Sequence, residues 1–322
     1  MKTIAWLVIF LLVFSGCTLV NVSVAPRTEP LEEKLLEGKG TPKILLVDLE
    51  GVITFREEKG PLNLSTRPSK VAFLREVFQK AGEDSDIAAL IVRINSPGGS
   101  VAASDTIYHE IMSFKQKRKI PVFAYITEIG ASGAYYVASA SDRIIASPAA
   151  VTGSIGVIAM KISLEGLFSK IGVAGETYKS GPKKDFWSPF RPSTPEEKKM
   201  LQGLINSFYE RFVSIVYANR QKLLTEPEVR SLADGRILAA NEALEKKLID
   251  RVAYLDEAIE MMKQELDLQQ ARLVTYARPE TYKSNIYSEM PQQGPQVINL
   301  ISINAEDLAF FSGVQFMYLW NP

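Results

Sequence analysis

The sequence predicts an α/β fold in which strands and helices alternate around a largely parallel sheet. Residues 87–94 form a nearly continuous apolar run, broken only by Arg93, which is typical of a strand covered on both faces. This run and another at residues 121–126 each lead into a turn rich in glycine and serine, followed by a helical pattern. No helical or propeller repeat period is present, so the recurring unit is strand, turn and helix.

The other elements follow from apolar periodicity and from helix-start signals. Thr194-Pro195-Glu196-Glu197 combines a cap, a first-turn proline and a capping-box glutamate, and predicts a helix to about Arg220. Further helices are predicted at 67–79, from 100 to about 115, and at 164–170, 241–247 and 255–266, with a short one capped by Thr225. Strands are predicted at 44–49, with 51–54 continuing or pairing with it, at 143–146, and as an extended run at 173–178.

The N-terminal residues 1–17 have the pattern of a targeting segment. Lys2 precedes the apolar run 4–14, and Ser15-Gly16-Cys17 then resembles the lipobox of bacterial lipoproteins, whose cysteine is acylated. Alternatively, residues 4–20 remain as a membrane-spanning helix, since they are mostly apolar and about the minimum length. Either anchor predicts a domain of the bacterial cell envelope, attached to a membrane on its extracytoplasmic side.

Composition divides the rest of the chain into three segments. Residues 18–42 turn to Pro, Glu, Lys and Gly and are interpreted as a flexible tether, so the globular domain is expected over 43–268. Residues 269–322 form a C-terminal extension that ends in Phe316, Tyr318 and Trp320 among other apolar side chains. Because a free tail of this kind would aggregate, we expect it to dock on the domain or in a partner subunit's groove.

Composition also excludes several functions. The 322 residues include 37 basic and 37 acidic side chains, and this zero net charge gives no electrostatic footprint for nucleic acid. Cys17 is the only cysteine, so a disulfide framework and a cysteine-rich metal site are absent. No HExxH or comparable ligand spacing occurs, and we expect neither a metal nor a cofactor.

Ser132 and the glycine pair Gly98-Gly99 are the candidate site residues at the strand-to-helix turns. A side chain at such a turn is exposed beside backbone N–H groups that lack helical partners. Glycines at the end of a strand also let N–H groups approach a ligand. Each feature has an ordinary structural interpretation, Ser132 as a helix cap and the glycine pair as a plain β–α turn.

A serine nucleophile needs a base, and the sequence offers two kinds. His109 is the only histidine, but its neighbours at helical spacing are polar, so it is expected to be exposed. A lysine can accept a proton near neutral pH when burial lowers its pKa by roughly 3 units. Lys179, at the end of the extended run, is the best-placed lysine, and Ser154 or Thr152 could hold its neutral amine.

Two other lysines are near this candidate base. Lys183 and Lys184 are adjacent to each other and to Asp185, and are expected to be solvated.

Four segments in order closely resemble the bacterial signal peptide peptidase A (SppA) family of serine proteases. They are IVRINSPGGS, GASGAYYVASASDRIIASPAAVTGSIGV, ETYKSGPKKD and ADGRILAANEALEKKLID, within about residues 43–266. The resemblance implies a Ser-Lys dyad with Ser132 as nucleophile and Lys179 as general base, Ser154 positioning the lysine and Gly99 in the oxyanion hole. It also implies a crotonase/Clp-protease-like fold of repeated ββα units with C-terminal helices.

The same resemblance implies the substrates and the assembly. We expect a homo-oligomeric ring at the membrane that degrades cleaved signal peptides and other unfolded, apolar polypeptides. Lys247 departs from the glycine usual at its position in the family. An alternative function is a non-proteolytic, crotonase-like protein that binds acyl thioesters or acts as a scaffold, since the glycine turn also suits a thioester; such a protein needs neither Ser132 nor Lys179.

Overall fold

One mixed sheet forms the centre of the computed structural model, which describes residues 29–59, 66–279, 285–288 and 316–320. Within these ranges, nine strands join in this sheet. They are β1 (Glu32–Gly38), β2 (Lys43–Glu50), β5 (Ile87–Ser96), β7 (Val122–Ala131), β8 (Arg143–Ala146), β9 (Val151–Gly153), β10 (Ile237–Ala239), β11 (Arg251–Val252) and β12 (Arg272–Ala277). Two smaller pairings involve β3 (Glu58–Lys59) with β4 (Thr66–Arg67), and β6 (Gly98–Ser100) with β13 (Met317–Leu319).

The strand order is β1-β12-β2-β5-β7-β8-β11, and every pair from β12 to β11 is parallel. Strand β7 changes partner along its length, since residues 123–126 pair with β8 and residues 129–131 pair with β9. The α/β class predicted from the sequence is confirmed, and a parallel sheet with intervening helices is the arrangement that the family resemblance implies.

The helices connect these strands and cover the sheet. They are α1 (Lys70–Glu83), α2 (Val101–Arg118), α3 (Gly133–Ala138), α4 (Glu165–Lys170), α5 (Pro195–Arg220), α6 (Glu226–Leu232), α7 (Ala240–Glu245) and α8 (Leu255–Glu265). The capping box that Thr194 and Glu197 predicted is formed at the start of α5. In the described part of the chain, no helix has the length and apolar character needed to cross a bilayer.

The two faces of the sheet bury different side chains. In β2, Leu45, Val47 and Leu49 pack into the core on one face, and Ile44 and Leu46 pack into the core on the other. This alternation confirms that the central strands are covered on both sides, as their continuous apolar runs predicted.

The predicted domain limits are corrected at both ends. Residues 32–38, interpreted as tether, form β1 at the sheet edge, antiparallel to β12. Residues 272–277, assigned to the C-terminal extension, form β12 inside the sheet between β1 and β2. The polar composition of residues 32–38 suggested a linker. The prediction was wrong because an edge strand buries little surface and tolerates charged side chains. The predicted anchor at residues 1–17 lies outside the described residues.

The extended run predicted at 173–178 has no regular secondary structure. It belongs to a longer segment, residues 157–194, which we call the arm. Within the arm, α4 is the one helix. The apolar side chains of the arm are mostly exposed rather than packed on the sheet. The exposed ones include Ile158, Met160, Leu167, Ile171, Val173, Tyr178 and Phe190.

Candidate active site

Ser132 lies in the single-residue turn between β7 and α3, and its backbone is strained. Its φ of 55° and ψ of −118° lie in a backbone region that residues other than glycine rarely adopt. The Ser132 N–H donates to the carbonyl of Gly153 over 2.8 Å, and the Ser132 carbonyl accepts from Tyr136 N–H over 2.9 Å. The hydroxyl does not cap α3, so the helix-cap interpretation is wrong.

Gly99 lies in β6, beside the start of α3. Ile53 borders one edge of β6, where its N–H donates to the Gly98 carbonyl (2.9 Å) and its carbonyl accepts from Ser100 N–H (2.8 Å). A Cβ added to Gly133 would lie 3.1 Å from the Gly99 nitrogen. The backbone N–H groups of Gly99 and Gly133 therefore border one small space next to Ser132, the arrangement required of an oxyanion hole.

The C-terminal strand β13 fills the other edge of β6. It is antiparallel to β6, with Tyr318 opposite Gly99. Val101 N–H donates to the Phe316 carbonyl (3.1 Å) and Trp320 N–H to the Pro97 carbonyl (2.9 Å). Hydrogen-bonded pairs recur at every second residue of an antiparallel ladder, so Gly99 and Tyr318 lie at a bonded position.

The carbonyl oxygen of Tyr318 reaches the candidate oxyanion hole. It lies 2.0 Å from where a Cβ on Gly98 would be, and 3.0 Å from where a Cβ on Gly133 would be. The expectation that the tail docks on the domain is confirmed for residues 316–320. A side chain at Gly98 or Gly133 would collide with the Tyr318 carbonyl, so both positions require glycine. Sequence reasoning missed that the docking position is the site itself, although the aromatic end of the chain was the available signal.

Ser154 is brought close to Ser132 through strand pairing. Strand β9 pairs with the end of β7, with Gly130 opposite Thr152 and Ala131 opposite Gly153. Ser154 follows directly, is buried, and has a positive φ of 50°. The Thr152 hydroxyl donates to the Gly130 carbonyl over 2.7 Å, so it braces β7 rather than facing an amine.

Lys179 is not brought to Ser132 within the chain. Lys179 lies in the arm, and its side chain is 35% exposed. Its ammonium donates to Asp185 Oδ1 over 2.7 Å. Among the described residues, no hydrogen bond joins Lys179 to Ser132. Asp185 also pairs with Arg191, and these two cations hold the pKa of its carboxyl well below its usual range. In this arrangement the Lys179 ammonium is bound to Asp185 and makes no contact with the Ser132 hydroxyl among the described residues.

The remaining titratable candidates lie elsewhere. His109 is exposed on α2, as predicted, and its Nε2 is 3.4 Å from the Ser113 hydroxyl. Lys183 forms an ion pair with Glu196 at the protein surface. In the described ranges, no three His, Cys, Asp or Glu side chains are grouped as metal ligands would be.

Comparisons with known proteins agree on the family of this chain. Residues 114–269 match the model of Peptidase family S49. A candidate signal peptide peptidase SppA of Enterococcus faecium is 36% identical over 264 residues, which cover 81% of this chain and 75% of that protein. A candidate protease of Synechocystis is 40% identical over 202 residues, covering 63% and 70% of the two chains. Among solved structures, a ClpP1 variant of Listeria monocytogenes aligns with a TM-score of 0.43 and 15% identity, over 66% of this chain and 94% of that one.

The backbone at Ser132 gives a stability prediction. Glycine relieves a strained positive φ, whereas alanine does not, so we expect Ser132→Gly to be more stable than Ser132→Ala by about 1 kcal/mol. Urea unfolding measures the difference in the free energy of unfolding. Ser139 is the matched control, since it is buried nearby with an ordinary φ of −66°. There the order should reverse; the same order at both positions would contradict strain at Ser132.

Proposed function

The chain belongs to Peptidase family S49 and is a serine-type peptidase, and we propose that it acts through Ser132 as nucleophile and Lys179 as general base. The observation that carries this assignment is the strained turn of Ser132 beside the N–H groups of Gly99 and Gly133. Strain of this kind is retained where the position of a side chain matters to function. This assignment replaces the alternative function considered from the sequence, a non-proteolytic protein that binds acyl thioesters or acts as a scaffold.

The reaction follows from the geometry around Ser132. A neutral Lys179 takes the hydroxyl proton, and the Ser132 oxygen attacks the carbonyl carbon of the peptide bond. The resulting oxyanion accepts hydrogen bonds from Gly99 and Gly133, each donor contributing roughly 3 kcal/mol. Lys179 then protonates the leaving amine, and water hydrolyses the acyl-enzyme. In this proposal Ser154, which is one residue beyond the carbonyl that accepts from Ser132 N–H, holds the amine of Lys179.

Variants of the dyad test this assignment in one peptide-hydrolysis assay. Ser132→Ala and Lys179→Ala should each lose at least about a thousandfold in kcat/KM, because they remove the nucleophile and its base. Lys179→Arg should be equally inactive, because a guanidinium stays protonated. Lys183→Ala and Lys184→Ala are the matched controls and should keep most activity.

Covalent labelling provides the second measurement. A serine-reactive fluorophosphonate should modify Ser132, as located by mass spectrometry, and should fail to label Ser132→Ala. Labelling of a different serine, or an active Lys179→Ala beside an inactive Lys183→Ala, would show that the residues are wrongly assigned.

The arm must change its contacts before Lys179 can act. Exposed apolar side chains along the arm, such as Met160 and Ile171, are what a subunit interface would cover. We infer that the chain assembles into a homo-oligomeric ring, and that packing of the arm on a neighbouring copy releases Lys179 from Asp185 and completes the dyad.

Dilution tests this dependence on assembly. Activity per chain should fall in parallel with the mean mass measured by light scattering, since a dissociated chain lacks the packed arm. The Lys183→Ala variant should follow the same curve. A monomer with full activity per chain would contradict the proposal.

The substrates and the location belong to the same proposal. Relatives described as signal peptide peptidases favour signal-peptide remnants and other unfolded, apolar peptides as substrates. These arise at membranes, and Cys17 at the end of a short apolar run would anchor the chain there on the extracytoplasmic side.

Mass spectrometry of the purified N-terminus tests the anchor. We expect an acylated Cys17 as the first residue, and a Cys17→Ser variant should keep its leader. An intact Met1 in the unsubstituted protein would instead support a retained membrane helix.

A further inference from the structure

Arg191 connects the part of the arm that carries Lys179 to helix α5. Its guanidinium binds the Asp185 carboxylate through two hydrogen bonds, from Nε to Oδ2 at 2.7 Å and from Nη2 to Oδ1 at 2.9 Å. The same guanidinium binds Glu197, in the first turn of α5, from Nη1 to Oε2 at 2.9 Å and from Nη2 to Oε1 at 2.6 Å. Paired bonds of this kind fix orientation as well as distance. Asp185 therefore has a defined position relative to α5 that does not depend on Lys179.

The backbone around Arg191 is fixed by other contacts within the arm. The Lys161 ammonium donates to the Arg191 carbonyl over 2.9 Å and to the Ser193 hydroxyl over 3.0 Å. Phe168 of α4 stacks on Phe190, with ring centroids 5.2 Å apart. These contacts hold the guanidinium in place by bonds that do not involve the proposed base.

Lys179, Asp185, Arg191 and Glu197 form a row of alternating charges. The Asp185 Oδ1 atom accepts from both the Lys179 ammonium, at 2.7 Å, and the Arg191 guanidinium, at 2.9 Å. Arg191 is the larger of the two causes that hold the pKa of the Asp185 carboxyl well below its usual range. If Lys179 leaves, Asp185 keeps both bonds from Arg191, so no carboxylate is left without a partner. An unpaired charge is the main cost of breaking an ion pair away from water, and Arg191 removes that cost.

We propose that Arg191 is a positioning residue that permits Lys179 to exchange between Asp185 and Ser132. Arg191 binds Asp185 in place of the departing lysine, and it keeps the carboxylate attached to α5 while the lysine moves. This inference rests on the proposed function, in which Lys179 leaves Asp185 to take the Ser132 proton. Among the described residues, Arg191 makes no hydrogen bond to Ser132, so it acts through Asp185.

Substitution of Arg191 tests this role in the peptide-hydrolysis assay with the full chain. Arg191→Gln leaves Lys179 as the cation bound to Asp185. It should lower kcat by about ten- to a hundredfold with KM nearly unchanged, because the exchange is impaired and substrate binding is not. Arg191→Lys keeps a positive charge beside Asp185 and should recover part of the loss. An unchanged kcat in Arg191→Gln would overturn the proposal.

Arg230 provides the matched control. It also joins two carboxylates, those of Glu210 on α5 and Glu226 on α6, through bonds of 2.6 and 2.8 Å. Arg230→Gln should leave kcat unchanged, since this arginine is not bound to Asp185. An equal loss in both glutamine variants would assign the effect to α5 in general and would overturn the role of Arg191.

A second substitution distinguishes exchange from a purely structural role of Arg191. Asp185→Asn removes the carboxylate that holds Lys179 and should raise kcat by about two- to fivefold. Added to Arg191→Gln, it should restore kcat to at least about half of the unsubstituted value, because the unshared carboxylate causes the loss. If Arg191 only shaped the arm, the double variant would be no more active than Arg191→Gln, and the proposal would be wrong.

Light scattering distinguishes exchange from assembly. At the assay concentration, Arg191→Gln and the double variant should both keep the mean mass of the unsubstituted protein. A mass that falls in parallel with the activity of Arg191→Gln would assign Arg191 to the subunit interface and overturn its role in exchange.

Lys179→Ala separates this inference from the proposed function. We expect the activity recovered in the double variant to be lost when Lys179→Ala is added. An active Lys179→Ala in the otherwise unsubstituted chain would refute the proposed dyad, and the exchange with it. An inactive Lys179→Ala, together with no recovery in the double variant, would refute the role of Arg191 alone.

Discussion

The backbone conformation of Ser132 is the constraint on which the rest of the site depends. A positive φ at a residue with a side chain costs about 1–3 kcal/mol, and the surrounding structure must supply that energy. It does so through β7, which lies between β5 and β9, and through the bond from Ser132 N–H to Gly153. The turn also starts α3, so one conformation positions both the hydroxyl and the Gly133 N–H.

The two parts of the proposed dyad differ in burial. Ser132, Gly99 and Gly133 belong to buried strands and helices, whereas Lys179 belongs to the arm, whose apolar side chains are largely exposed. Its ammonium is bound to Asp185 over 2.7 Å, so the proposed dyad requires that contact to be exchanged. One edge of β6 is occupied by β13, which adds to it as a peptide would. The proposed function therefore makes activity depend on what covers the arm.

Much of the fold could be predicted from local sequence. Continuous apolar runs identified the buried strands β2, β5 and β7, and the capping residues at Thr194 identified α5, because both signals arise within a few residues. Edge strand β1 and inner strand β12 were missed. Their place depends on pairing with each other and with β2 across more than 200 residues, which no local pattern records.

The sequence by itself determined the family and the α/β class, and it predicted Ser132 and Gly99 as site residues because neighbouring glycines define their turns. Only the tertiary structure decided the strain at Ser132, the pairing of Lys179 with Asp185 and the entry of Tyr318 into the site. Each of these depends on groups that approach through folding. Tyr318 and Gly99 are 219 positions apart (318 − 99), and strand pairing alone makes them neighbours.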